Sequence, residues 1–166
     1  MMDGMLLVQQ AMYQHLTSAT GANVSASLVA WPNTNFTPPS TGLWYEAAFM
    51  PGEPSATGIG GDAQNRFVGI FQVTVCAVAG IGEGTVVTEA ERIAKVYKRG
   101  TVIIRSGDDV GTEPSEVLYP GDLVVPINWA VAGKITKSWR GPGFVSTEPA
   151  CYQVPVSVQF WADAAN

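Results

Sequence analysis

The chain has 166 residues and a mass of 17.6 kDa, the size of one ordinary domain that can bury a hydrophobic core without staples. Hydrophobic residues make up 46% and charged residues only 14%, a neutral, adherent surface that suits a subunit hiding area in an assembly. A net charge of −5 and a pI near 4.7 argue against a phosphate-gripping face, and no basic patch is visible along the chain.

Residues 3–19 read as an amphipathic helix, with Met5, Val8, Met12 and Leu16 at steps of three and four, Asp3 to cap it and Gly21 to end it. This N-terminus is neither a leader nor a membrane span, because it lacks a basic start and Gln interrupts its apolar residues. A short strand at 27–33 stops at Pro32, and a Pro-rich loop spans 35–42. A second strand follows at 43–51.

Residues 52–65, "GEPSATGIGGDAQN", carry four glycines and one proline among small or polar neighbours, which predicts a long mobile loop. Loops of that length are usually functional or ordered by a partner. Residues 66–77 form the strongest strand: Phe67, Phe71, Val73 and Val75 take one face, Arg66, Gln72 and Thr74 the other. Val68 and Ile70 make the second face partly apolar, the mark of a central strand. Val86, Ala90, Ile93 and Tyr97 then repeat at four, three and four, a surface helix with Gly100 as its left-handed cap. Lys95, Lys98 and Arg99 at its end meet the negative pole of the helix dipole.

A strand at 101–106 leads into the acidic stretch 107–122, read as loop or turn. Weaker strand candidates occupy 123–139, and "RGPGFVSTEPA" reads as a further loop. In the final strand Tyr152, Val154, Val156, Val158 and Phe160 alternate with polar partners, and Pro155 predicts an edge position or a local bulge. The sum is a single α+β domain over 1–166, a mostly antiparallel β-sheet with two helices packed on one face.

Chemical motifs fail one by one. Gly80, Gly82 and Gly84 give G-x-G-x-G, but a dinucleotide fingerprint needs a glycine where Thr85 stands, and a phosphate loop would not carry Glu83. His15 is the sole histidine, leaving no pair for a metal and no ordinary Ser-His-Asp set. Cys76 and Cys151 form no C-x-x-C motif and fit buried thiols of a reducing cytoplasm. Asp108, Asp109, Glu113, Glu116 and Asp122 match no calcium loop and read as a solvated acidic segment, or one facing a channel or a basic partner. Trp44, Tyr45, Trp139 and Trp161 fit core or interface anchors equally well.

The order of these pieces carries a resemblance. An N-terminal helix, "VAWPNTNFTPP" (29–39), an aromatic strand ending in Met50-Pro51, a Gly-rich loop, "RFVGIFQVTVCAVAGIG" (66–82), a helix ending near "YKRGT" (97–101) and a terminal "YQVPVSVQFWAD" (152–163) resemble the tail terminator, or tail completion, proteins of long-tailed bacteriophages. The family is related to the minor tail protein that caps the lambda tail tube. The likeness is strongest through 33–39, 69–75 and 152–163, and residues 107–143 are longer and less typical. It implies a structural virion protein and no enzyme, with no cofactor and no metal. Six copies would form a hexameric ring at the head-proximal end of the tail tube, assembled in the host cytoplasm. The ring would stop tube polymerisation and offer a docking surface to the head-tail connector.

Implied partners are therefore copies of itself, the tail tube protein and the connector, with DNA passing through the lumen without specific binding, and no membrane. The interface would draw on Gly52, Glu53, Gly58, Gly60, Gly61, Asp62, Gln64 and Arg66, and the lumen or a partner would face Asp108, Asp109, Glu113 and Glu116. Another phage neck or head-completion protein, or a small soluble enzyme, stands as the alternative.

Overall fold

A computed structural model of the protein describes residues 4–59, 65–105, 123–125, 131–147 and 150–164. The first helix, α1, runs Gly4–Thr17, and a single 3-10 turn at Ala26–Leu28 precedes strand β1, Val29–Ala30. Strands β2 (Leu43–Pro51), β3 (Ser55–Ala56) and β4 (Asn65–Val78) lead into helix α2 (Glu83–Val96). Strands β5 (Val102–Arg105), β6 (Leu123–Val125), β7 (Val131–Arg140), β8 (Phe144–Thr147) and β9 (Ala150–Ala164) complete the described elements.

The strands join one sheet in the order β1-β2-β4-β9-β7-β5-β6, with β3 added to β4 and β8 to β9. Its centre is the antiparallel pair β4–β9, in register from Asn65↔Ala164 to Val78↔Cys151. Only β1–β2 and β5–β6 pair in parallel among the described strands. The architecture is α+β, as the periodicities predict, because both helices bury their apolar stripes on one sheet face. From α1 come Val8, Met12 and Leu16, and from α2 Val86, Ala90, Ile93 and, just past its end, Tyr97. They meet Phe71, Val73 and Val75 of β4 and Val154, Val156, Val158 and Phe160 of β9, all essentially inaccessible to solvent. Burying such side chains supplies most of the driving force for this layer.

Polar ties fix how the helices sit. The Tyr97 hydroxyl donates to the Met12 main-chain oxygen at 2.7 Å, joining the end of α2 to the middle of α1. Tyr45 donates to Glu89 Oε1 at 2.8 Å, while Arg92 donates to both oxygens of Glu89 at 2.7 and 2.8 Å and to Ala22 O at 2.8 Å. Burial pushes the Glu89 carboxyl up, but the hydrogen bonds from Arg92 and Tyr45 outweigh it and hold the acid below the ordinary carboxylate range.

Several expectations are corrected. The stretch 52–65 is not free of structure: Ser55 and Ala56 pair with Arg66 and Asn65, and Gly52 N–H donates to Val68 O at 2.7 Å, so its base is a β-hairpin. The 27–33 strand shrinks to two residues, after a turn closed by Leu28 N–H to Ser25 O. Residues 144–147, read as loop, form β8 against β9. Helix α2 ends at Val96 with Tyr97 as its C-cap, at the start of the expected 97–101, and Gly100 is not its left-handed cap. Gly100, with φ of 88°, instead occupies the third position of a tight turn closed by Thr101 N–H to Lys98 O.

Pro155 lies in the central strand β9, not at an edge. Its carbonyl accepts from Gly141 N–H at 2.8 Å, so its nitrogen faces the break where β7 stops at Arg140 and β8 has not begun. The missing donor therefore falls where the neighbouring ladder is interrupted.

Candidate functional site

The α-helices cover one face of the sheet and leave the other without a helix among the described residues. Register places Trp44, Glu46, Ala48 and Met50 of β2 beside Cys76, Thr74, Gln72 and Ile70 of β4 on this second face. Across the central pair they continue to Gln153, Pro155, Ser157, Gln159 and Trp161 of β9, and on to Lys137 and Trp139 of β7.

One end of this face is sealed. Phe36 from the Pro-rich segment packs at 5.4 Å on Trp44, and together with Ala30 covers a small second core of Trp44, Cys76 and Cys151. Both cysteines are free and buried, and burial pushes the Cys76 thiol well up, so it is no nucleophile. Trp44 and Tyr45 thus belong to the two cores, and sequence position alone could not sort them.

The opposite end stays open. Met50 and Val68 are each 43% exposed there, next to half-buried Ile70 and Trp161, and Arg66 lies over the Trp161 ring at 4.5 Å. The β3–β4 hairpin projects from this end and holds Ile59 wholly in solvent. Such exposed apolar side chains, rimmed by Arg and Lys, mark an interaction surface. Of the sequence-predicted interface residues, Gly52 is half-buried at the hairpin base, while Glu53, Gly58 and Arg66 are exposed. Gly60, Gly61, Asp62 and Gln64 lie outside the described residues, as do Asp108, Asp109, Glu113 and Glu116.

A second feature escaped the sequence reading. Along the outer edge of β7 an open groove of about 730 Å³ separates it from the end of α2. Lys95, Lys98, Arg99, Lys137 and Arg140 line it, five of the nine cations in the chain, against the single carboxylate Glu91, which Arg140 meets at 3.6 Å. The expectation of no basic patch is therefore corrected. The helix-dipole reading for Lys95, Lys98 and Arg99 saw only half the cluster, because the other half comes from a strand some forty residues later. Lys137 also lies over the Trp139 ring at 4.7 Å, adding an aromatic wall.

The glycines before α2 are conformational. Gly80 and Gly82 adopt φ of 99° and 91°, a region that favours glycine, and Gly82 is the N-cap. Glu83 fills the first turn and accepts the Tyr152 hydroxyl at 2.9 Å, so this helix start faces a carboxylate of its own. Among the described residues no group of three His, Cys, Asp or Glu could hold a metal ion. No helix there is long and apolar enough to cross a membrane.

The described residues form a two-layer α+β subunit with helices on one sheet face and none on the other. The profile of the family described as phage tail terminator protein matches residues 7–160, and the chain belongs to that family of structural proteins of the phage tail. It is accordingly a component of the virion tail. A solved structure shares the fold with a TM-score of 0.60 at 23% identity, covering 96% of this chain and 94% of that one. At that identity the likeness speaks for the fold alone. No curated protein matches the chain.

Proposed function

We propose that this protein is the terminator ring subunit of a long phage tail, a structural protein without enzymatic activity. Six copies sit on the head-proximal end of the tail tube, stop its polymerisation and present the docking surface for the head-tail connector. The observation that carries this reading is the family match across residues 7–160. The open end of the sheet supports it, since a ring subunit needs free surface for its neighbours and for the tube. Met50, Val68, Ile70 and Trp161 with the β3–β4 hairpin and Arg66 supply such a surface. DNA passes the assembled ring without specific binding, which suits a chain of net charge −5. Assembly takes place in the host cytoplasm, before the tail meets the head.

Deleting residues 54–63 tests the reading. The cut removes β3 and, among the described residues, no core residue, so the chain should still fold, as read by circular dichroism. Phage complemented with this variant should make tails of uncontrolled length that fail to join heads. Tails of normal length that join heads would sink the proposal for this surface.

A further inference from the structure

We propose that the basic groove between α2 and β7 is the receiving half of a head-to-tail contact between copies of this chain. Its occupant is the acidic segment 107–122 of the neighbouring copy. The inference rests on the ring reading above and names the contact that would close the ring.

Three observations point this way. First, charge is segregated: the groove gathers five of nine cations with one carboxylate, whereas 107–122 holds Asp108, Asp109, Glu113, Glu116 and Asp122 and no cation. In a chain of net charge −5, these are the two most oppositely charged stretches. Second, the groove is not self-complementary: a two-fold axis through it would set Lys95, Lys98 and Arg99 against their own copies, whereas a head-to-tail contact sets them against a different surface, and head-to-tail contacts that close make rings. Third, the groove runs beside a stretch of β7 edge that no strand pairs among the described residues. Gly100 N–H donates to Ile135 O and Ile135 N–H to Thr101 O, which ties β7 to the turn before β5, and β5 pairs only as far as Lys134. From there to Arg140 no described strand borders the outer side of β7, so an extended occupant finds main-chain partners as well as charge. Trp139 and the Lys137 above it give that occupant an apolar wall.

The test uses the whole chain in two charge-reversed forms: Lys95→Glu with Lys98→Glu and Arg99→Glu, and Asp108→Lys with Asp109→Lys, Glu113→Lys and Glu116→Lys. Lys95, Lys98 and Arg99 are exposed, so the first form keeps its core, and circular dichroism checks both. In low-salt sedimentation velocity the unaltered chain should self-associate, more weakly as salt rises. Each reversed form alone should associate about tenfold more weakly or worse, since it sets like charge on like. Mixing the two should restore association, because each then offers what the other lacks. An unaltered chain that stays monomeric at every concentration would overturn the proposal. So would reversed forms that associate normally, or a mixture that stays monomeric, the result expected if the segment fills the groove of its own chain. Binding of a DNA duplex that the groove reversal abolishes, with self-association untouched, would assign the groove to nucleic acid instead. Tail length in complemented phage separates the two readings: capped tails of normal length from a groove-reversed chain overturn this contact and leave the terminator reading intact.

Discussion

Removing one oxygen from Tyr97 probes the joint between the two helices. Tyr97 is fully buried, its ring packs at 5.5 Å on Phe71 and edge-on at 5.0 Å to His15, and its hydroxyl donates to Met12 O. Tyr97→Phe keeps the ring contacts and deletes that bond, which costs about 1 to 2 kcal/mol for a buried donor–acceptor pair. In a chain of this length that lowers Tm by about 3 to 6 °C. The pH dependence gives a second, opposite signature. Burial pushes the Tyr97 hydroxyl well above its ordinary 10.0, so below pH 10 folded and unfolded chains both keep the proton and no pH effect arises. Above pH 10 the unfolded chain releases a proton that the folded chain retains, and stability falls as pH rises, by about 1.4 kcal/mol per pH unit. The Tyr97→Phe variant has no such proton to lose and escapes that decline. Tyr45, raised by burial and by its bond to Glu89, contributes the same trend to both proteins and cancels in the comparison. Unfolding in urea, followed by far-UV circular dichroism from neutral pH upward, should therefore show the variant weaker at pH 8 and the gap between the two curves narrowing as pH rises above 10. Curves that stay parallel through alkaline pH, or a variant as stable as the parent at neutral pH, would refute the assignment.

Two further substitutions separate close packing from open space. At Gly69 an added Cβ would lie 2.9 Å from Met50 O and 2.8 Å from Phe160 Cζ, so Gly69→Ala should cost about 1 to 3 kcal/mol, seen as a lower Tm. At Gly84, in the first turn of α2, a Cβ meets nothing within 4 Å, so Gly84→Ala should raise stability by about 0.4 to 1 kcal/mol in the same melt. The buried Cys76 and Cys151 thiols should resist Ellman's reagent in the folded chain and react at once in denaturant, and rapid labelling of the native protein would contradict their placement.

Much of the framework was legible because it depends on local period. The three-and-four spacing of Val86, Ala90, Ile93 and Tyr97 and the alternation from Val154 to Phe160 each declare a face without reference to anything distant. What failed depended on neighbours. Pro155 predicted an edge position or a local bulge because the sequence cannot say that β7 stops short of it. Residues 144–147 looked like loop because four residues flanked by Gly and Pro carry too little alternation to declare a strand. The basic groove was invisible for the same reason: Lys95 and Arg99 are separated from Lys137 and Arg140 along the chain and meet only when α2 packs beside β7. The hairpin at 52–66 was recognised as a surface of interest from its composition, yet the two-residue pairing that anchors it has no signature of its own.

The β4–β9 pairing has a consequence for the order of events during synthesis. Its two strands, Asn65–Val78 and Ala150–Ala164, lie far apart in the chain, yet each is the other's nearest partner at the centre of the sheet. Contacts between such distant segments form late, because the intervening chain must first be closed. While the ribosome is still translating the middle of the message, β4 has no partner on that side, and the apolar layer beneath the helices cannot close. A polypeptide broken off before β9 therefore never acquires the sheet that carries both the open face and the groove edge. Synthesis of β9 is thus the step on which the centre of the sheet waits, since β4 finds its partner only there.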